Sequence, residues 1–265
     1  MRREAIVGGT GVMGRPVVRA LVARGMEVRA LVRDPARAAR ALPAEVELVR
    51  ADLRDASTLA RGMEGSDLVY LNLSVDPRET KGDFHPEAEG LSSCLRAARE
   101  AGVGRALYLS SFLPRYRDLD WWALTLKREA IERVRASKLP YTIYYPANFM
   151  ENLSDRGRKG PLVLVAGEPR ATSYWIAGSD YASMVARSIE VDREGSHEHV
   201  VQDLEFEVDF ESEEQAFALQ DRVDAFARGS ALRILAEVFD EAGLGQDPLR
   251  LYRPEVDLGM VGADG

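Results

Sequence analysis

Apolar positions along the chain fall into short runs, separated by stretches in which they recur at helical spacing. Residues 5–7, 28–32, 46–49, 68–73, 106–109 and 141–145 are apolar runs, four of them broken by a single polar residue, that read as strands. Between them, residues 16–22, 56–63, 90–101 and 122–137 carry apolar side chains at the spacing of amphipathic helices. Gly25, Gly65 and Gly102 stand where such helices would stop. Strand and helix in alternation predict an α/β fold, a doubly wound parallel sheet of at least six strands with helices on both faces.

The rhythm changes past Pro146. Residues 162–165 and 172–176 flank Gly167-Glu168-Pro169-Arg170, read as a hairpin or a loop joining two extended segments. Residues 204–210 alternate apolar and acidic, a strand with one wet face. Ser212 to Gln215 fits a capping box opening a helix to Phe226, and a second helix is expected over residues 231–242. With a glycine-rich turn at residues 9–14 directly after the first strand, as in nucleotide sites, the expected organisation is a nucleotide-binding domain over residues 1–155 and a smaller C-terminal α+β lobe over 156–265 that meets substrate or partner.

One local motif carries chemistry. Gly9-Thr10-Gly11-Val12-Met13-Gly14 joins the first strand to the first helix, the position at which a glycine turn lets backbone approach a pyrophosphate. The first glycine is expected to make the tight turn, the second to admit the phosphates and the third to let helix and strand pack. The exposed N–H groups of the helix start then face the anion.

Nineteen positions after Gly14, where an acid would bind the ribose hydroxyls of NAD, stands Arg33, followed by Asp34 and, one helical turn on, Arg37. Guanidiniums suit a 2′-phosphate. The pattern therefore favours NADP, with NAD left open by Asp34. Asp52 and Leu53 follow the third strand, where an acid can accept from an adenine amino group. Asn72, Leu73, Ser74, Ser110 and Ser111 end the next two strands, at the carboxyl edge where open α/β sheets bind ligands.

Composition sharpens this picture mainly through charge. The net charge of −8 argues against general nucleic-acid binding. Its distribution is uneven: residues 1–50 hold ten arginines and five acids, whereas residues 191–265 hold six arginines and nineteen acids. An anionic cofactor belongs in the basic half. No apolar run reaches the roughly 18 residues a membrane span requires, and the N-terminal run meets glycines instead of a cleavage site, so a cytoplasmic protein without a membrane partner is expected. Cys94, the single cysteine, sits in an apolar helical pattern and reads as a buried structural thiol. His197 and His199 share one face of an extended segment but lack a third nearby ligand, so no metal site is expected. Oligomeric state is not indicated.

Taken together, Gly8 to Gly14, Leu31-Val32-Arg33-Asp34-Pro35, Ala51-Asp52-Leu53, Leu107-Tyr108-Leu109-Ser110-Ser111, Tyr141-Thr142-Ile143 and Pro146 to Leu153 resemble the NmrA-like, atypical branch of the short-chain dehydrogenase/reductase superfamily. The resemblance covers about the first 190 residues. It implies a Rossmann fold that binds NAD(P)H, in a family with members that reduce quinones, dyes or phenylpropanoid double bonds and others that only sense the cofactor. Tyr145, Pro146, Asn148 and Phe149 would then lie at the nicotinamide end, although Tyr145 replaces the arginine usual before the proline.

Ordinary members place a Tyr-x-x-x-Lys pair on one helix, the phenol donating a proton and the lysine holding the nicotinamide ribose. Here the lysine position is Lys127 and the phenol position is Ala123. The resemblance implies that Lys127 is retained as the ribose-binding and catalytic residue. It is one of only four lysines, against thirty-one arginines. The alternative is an exposed helix face on which Lys127, Arg128 and Glu132 merely pair. Tyr116 and Tyr145 are other candidate phenols, Trp121, Trp122, Phe149 and Met150 a candidate wall for a planar substrate, and His85 a candidate substrate contact. The expected activity is hydride transfer from NADPH to an apolar or aromatic acceptor such as a quinone or dye. The competing expectation is a non-catalytic NADP(H) sensor that acts through a protein partner.

Overall fold

A computed structural model describes residues 3–75, 79–112, 114, 122–152, 158–159, 162–163, 173–192, 194–201, 204–208 and 251–252. Tyr116, Trp121, residues 167–170 and the two expected C-terminal helices lie outside them.

Seven strands form one all-parallel sheet: β1 (Arg3–Val7), β2 (Glu27–Val32), β3 (Glu47–Arg50), β4 (Leu68–Leu71), β5 (Arg105–Leu109), β6 (Tyr141–Pro146) and, after four short strands elsewhere, β11 (His197–Val201). Their spatial order is β11-β6-β5-β4-β1-β2-β3. The order reverses between β1 and β4, where Val7 lies level with both Leu31 and Leu71. Such a reversal opens a crevice beyond the carboxyl ends of the strands. This is a Rossmann-like doubly wound sheet.

β4 and β5 are buried at every position, which accounts for their unbroken apolar runs. Successive side chains serve opposite faces. On one face Val69, Leu71, Ala106, Tyr108, Ile143 and Tyr145 pack with residues of α3 (Ala56–Met63), α4 (Leu91–Glu100) and α5 (Trp122–Arg135), Cys94 among them. Burial pushes the Cys94 thiol up to about 12, so it stays protonated as expected of a packing residue. On the other face α1 (Gly14–Ala23) packs beside α6 (Gly178–Val191). There the Tyr70 and Tyr181 hydroxyls bond at 2.9 Å and Tyr144 meets Ser188 at 2.5 Å, so these buried phenols are satisfied. A four-residue turn of helix, α2 (Pro35–Ala38), follows β2.

The chain divides into two compact units, residues 1–147 with 178–201, and residues 148–177 with 202–265. The expected cut after residue 155 therefore differs from the observed one, because α6 and β11 return to the first unit. Arg105 ties down the approach to β11, donating to Gly195 O at 2.9 Å and to Thr142 Oγ1 at 3.2 Å.

The second unit contains a mixed sheet in the order β13-β12-β10-β7, formed by β7 (Asn148–Phe149), β10 (Ser173–Ile176), β12 (Leu204–Val208) and β13 (Leu251–Tyr252). A separate ribbon pairs β8 (Arg158–Lys159) with β9 (Leu162–Val163). The extended segment at 162–163 thus pairs backward in sequence, while Ser173–Ile176 joins the mixed sheet.

Candidate functional site

The glycine turn sits at the reversal point. Asn72 donates its backbone N–H to Val7 O at 3.0 Å and its Nδ2 to Gly8 O at 3.4 Å, so the exits of β1 and β4 are stitched together. The tight turn falls at Gly8, one residue before the position expected from the motif. Its φ is +80°, and a Cβ there would lie 2.0 Å from Asn72 O. Gly14 provides the close helix approach, since its Cβ would stand 2.1 Å from Gly8 O. Thr10, Gly11 and Val12 are exposed at the top of the turn. Met13, at the N-cap of α1, makes no side-chain cap, and the first turn holds no acid. Within the turn the Gly11 N–H donates to Gly8 O at 3.0 Å and the Arg15 N–H to Gly11 O at 3.1 Å, and a helix start with no competing carboxylate fits an anionic group.

Beyond β2, Asp34 caps α2 by accepting the backbone N–H of Arg37 at 3.1 Å. Its carboxylate thus has a structural partner. Arg33 and Arg37 are exposed and their guanidiniums pair with no described residue. Asp52 is exposed and accepts from the Arg54 backbone at 2.9 Å, as an aspartate in a turn does. Leu53 reaches Gly90, whose Cβ would stand 3.1 Å from Leu53 Cδ1, and the Arg54 guanidinium lies 4.8 Å over the Phe84 ring. Leu73 and Ser110 are buried and Ser74 exposed, while Ser111 is intermediate. Ser110 N–H continues the sheet by donating to Tyr144 O.

Lys127 lies on the buried stripe of α5, four residues after Ala123, which is 4% exposed. Its Nζ donates at 2.5 Å to Oε1 of Glu87, a fully buried carboxylate. The same oxygen accepts from the Tyr108 hydroxyl at 3.1 Å. Burial and the neighbouring Glu87 charge raise the Tyr108 phenol well above its ordinary value and keep it a donor. This partner excludes the simple exposed-face alternative for Lys127, whose side chain is 21% exposed.

Glu87 belongs to a turn of π-helix, Pro86–Gly90, leading into α4. The same connection holds His85, which is buried, with Nδ1 2.9 Å from Glu79 Oε2 and its ring 5.3 Å from that of Trp122. The Glu79 hydrogen bond raises His85 above its usual value against the opposing effect of burial. His85, a candidate substrate contact by sequence, is packed into the protein.

Tyr145 is 3% exposed, and its hydroxyl donates to Glu198 Oε2 at 2.8 Å and accepts from Arg135 Nη2 at 3.4 Å. It borders a groove along α5 with Arg128, Ile131 and Glu198. The sheet's carboxyl edge is not where its phenol goes. Pro146 is buried and its carbonyl accepts the Phe112 N–H. Asn148 and Phe149 open the second unit, the first exposed and the second buried. His197 and His199 stack at 6.3 Å, and His199 Nε2 lies 2.7 Å from Asp192 Oδ2.

The residue missed from sequence is Glu87. Its spacing to Leu91, Cys94 and Ala98 puts an acid on the apolar stripe of α4, and that was the available signal.

Residues 8–191 match the model of a family described as NAD(P)H-binding. The chain belongs to this family. The match begins at Gly8 and ends with α6, so it includes both the glycine turn and Lys127. Among curated relatives, a 4-hydroxy-2-methyl-3-oxo-4-farnesyl-3,4-dihydroquinoline-1-oxide ketoreductase of Stigmatella aurantiaca is 34% identical over 111 residues, 41% of this chain and 33% of that protein. The NAD(P)H azoreductase of Xenophilus azovorans is 27% identical over 188 residues, 69% of this chain and 62% of that protein. The chain thus spans less than two thirds of the length of either.

Solved structures agree on the fold. The NADPH-dependent quinone oxidoreductase of Escherichia coli, complexed with NADPH, superposes with a TM-score of 0.63 at 21% identity, over 75% of this chain and 69% of that one. A nucleoside-diphosphate-sugar epimerase of Staphylococcus aureus does so with a TM-score of 0.61 at 18% identity, over 78% and 73%. One fold carries both reactions, so the fold alone selects neither. No helix among the described residues is long and apolar enough to cross a membrane.

Proposed function

We propose that this NAD(P)H-binding protein is an NADPH-dependent reductase of the NmrA-like branch, acting in the cytoplasm on an apolar or aromatic acceptor such as a quinone or dye. The observation that carries the reading is Lys127, a part-exposed ammonium held on the inner stripe of α5 by a buried carboxylate. When bound, the cofactor supplies the hydride. Gly9, Thr10, Gly11, Val12, Met13 and Gly14 surround its pyrophosphate, at the positive end of the α1 dipole. Arg33 and Arg37 pair with the 2′-phosphate. Asp34, engaged as a helix cap, is poorly placed to select NAD, which supports NADP over NAD.

Asp52 and Leu53 border the adenine. Asn72, Leu73, Ser74, Ser110 and Ser111 line the carboxyl edge, and Lys127 holds the nicotinamide ribose and passes one proton to the reduced acceptor. Pro146 completes the nicotinamide end. Tyr145 contributes there through backbone only, since its phenol is engaged by Glu198. The second unit is assigned to substrate or partner contact. The azoreductase relative supports a dye-like acceptor.

The second reading is a cofactor sensor, favoured by one observation: Ala123 presents a buried methyl where the family's phenol would stand. Incubating the protein with NADPH and a panel of quinones, azo dyes and triarylmethane dyes separates the two. Acceptor-dependent NADPH oxidation supports the reductase. Tight NADPH binding with no oxidation across the panel supports the sensor.

A further inference from the structure

A buried ion pair is a poor device for stability. Taking a carboxylate out of water carries a large desolvation cost even when a cation meets it, and well-packed apolar residues of similar volume hold a core as well or better. Glu87 nevertheless lies fully buried at the start of α4, and its Oε2 has no hydrogen-bond partner among the described residues. Everything that compensates its charge arrives at Oε1, from Lys127 Nζ at 2.5 Å and the Tyr108 hydroxyl at 3.1 Å.

The three residues come from three elements. Tyr108 is fixed by β5 and Glu87 by the π-helical turn, so the carboxylate cannot follow the lysine; the lysine must come to the carboxylate. A lysine stem has four rotatable carbons and would otherwise sample many positions. Two further contacts hold the Glu87 segment in place. The His85 ring packs on Trp122 at the start of α5, and Gly90 closes against Leu53.

We propose that Glu87 is a positioning residue for Lys127. It holds the ammonium at one point beside α5 with two of its three N–H donors still available to a ligand. The proposal rests on the reading of Lys127 as a cofactor-binding residue. Glu87 itself touches neither cofactor nor acceptor; its effect passes through the lysine. The arrangement restrains the lysine before cofactor arrives, so less freedom is lost on binding.

The test is NADPH affinity, measured by fluorescence titration in the wild type, in Glu87→Gln and in the double variant Glu87→Gln with Lys127→Met. Neither variant strands a buried charge, because the Lys127 head is part exposed and can be hydrated when Glu87 becomes neutral. The expected result is a loss of about tenfold in Glu87→Gln, with the double variant within about twofold of it, as for residues acting as one unit.

If Glu87→Gln binds like the wild type and only the double variant weakens, Lys127 contacts the cofactor without help and the positioning role falls alone. A double variant weaker than Glu87→Gln by a further tenfold or so gives independent roles and also overturns it. Equal binding in all three removes the Lys127 reading as well. Glu87→Asp, which keeps the charge and withdraws it by one methylene, provides the same comparison by the same titration if glutamine is not tolerated. It is expected to bind more weakly than the wild type, and wild-type affinity in it would overturn the proposal.

Discussion

The glycine turn and the Glu87–Lys127 contact are built in opposite ways. At the turn, Thr10, Gly11 and Val12 stand exposed, α1 lacks a side-chain cap, and Arg33 and Arg37 have no ion partner among the described residues. At the contact between α5 and the segment before α4, the carboxylate is fully buried and the two charged groups are bonded to each other, 40 residues apart in sequence. An anion site can be made of backbone, with little cost while it waits for its ligand in water. A precisely aimed cation needs a second side chain to restrain it. One region is open and local, the other closed and tertiary.

The sharpest way to break this contrast is at Gly14. Gly14→Ala forces a Cβ to 2.1 Å from the Gly8 backbone oxygen, so a loss of about 3 kcal/mol in urea unfolding is expected, together with loss of NADPH binding. Near-normal stability would mean that the turn is softer than its geometry. Lys127→Met comes next. It strands the buried Glu87 charge and should cost about 3 kcal/mol, whereas Glu87→Gln, which leaves only a part-exposed ammonium, should cost clearly less in the same urea titration. Equal losses would show that the pair is not buried asymmetrically.

At the open region the effect moves from stability to affinity. Arg33→Ala should weaken NADP by roughly 1 to 3 kcal/mol, the range for charged hydrogen bonds, and leave NAD and the unfolding curve unchanged. Equal weakening of both cofactors in a calorimetric titration would remove Arg33 from the 2′-phosphate.

The smallest effect belongs to His85. Its value in the folded protein is raised above 6.5 by the Glu79 hydrogen bond. The stability it adds is therefore complete below about pH 6.5 and is lost as pH rises through the higher folded value. The melting temperature of the wild type should exceed that of His85→Gln most on the acid side of neutrality and approach it on the alkaline side. A gap that widens with rising pH would contradict the sign.

The same contrast explains what could be read from the sequence. β4 and β5 were legible because strands covered on both faces are almost wholly apolar, β1, β2 and β6 because most of their positions are, and α3 and α5 because their buried residues repeat at helical spacing. The glycine motif was legible because it constrains backbone within six residues, although the tight turn proved to be at Gly8.

The place of α6 and β11 was not legible. Thirty residues of another unit, 148–177, separate them from β6, and sequence order then misleads about spatial order. Tyr181, Val185 and Ile189 do carry helical spacing, but nothing local says which sheet they cover. Tyr145 misled in a related way. Its neighbours along the chain placed it at the nicotinamide end, while strand alternation turned its ring into the α5 face and toward Glu198. Glu87 was hidden because its partner is named only by the packing of α4 against α5.

The most direct measurement uses NADPH carrying deuterium at C4 of the nicotinamide, on one face and then on the other, in a single turnover with a quinone or dye that the protein accepts. A reductase site that holds the cofactor in one orientation predicts deuterium transfer to the acceptor from one face only, with the other label retained in NADP. Protein that binds NADPH tightly yet moves deuterium from neither face, with every acceptor tried, would contradict hydride transfer at this site and leave cofactor binding as the whole of its chemistry.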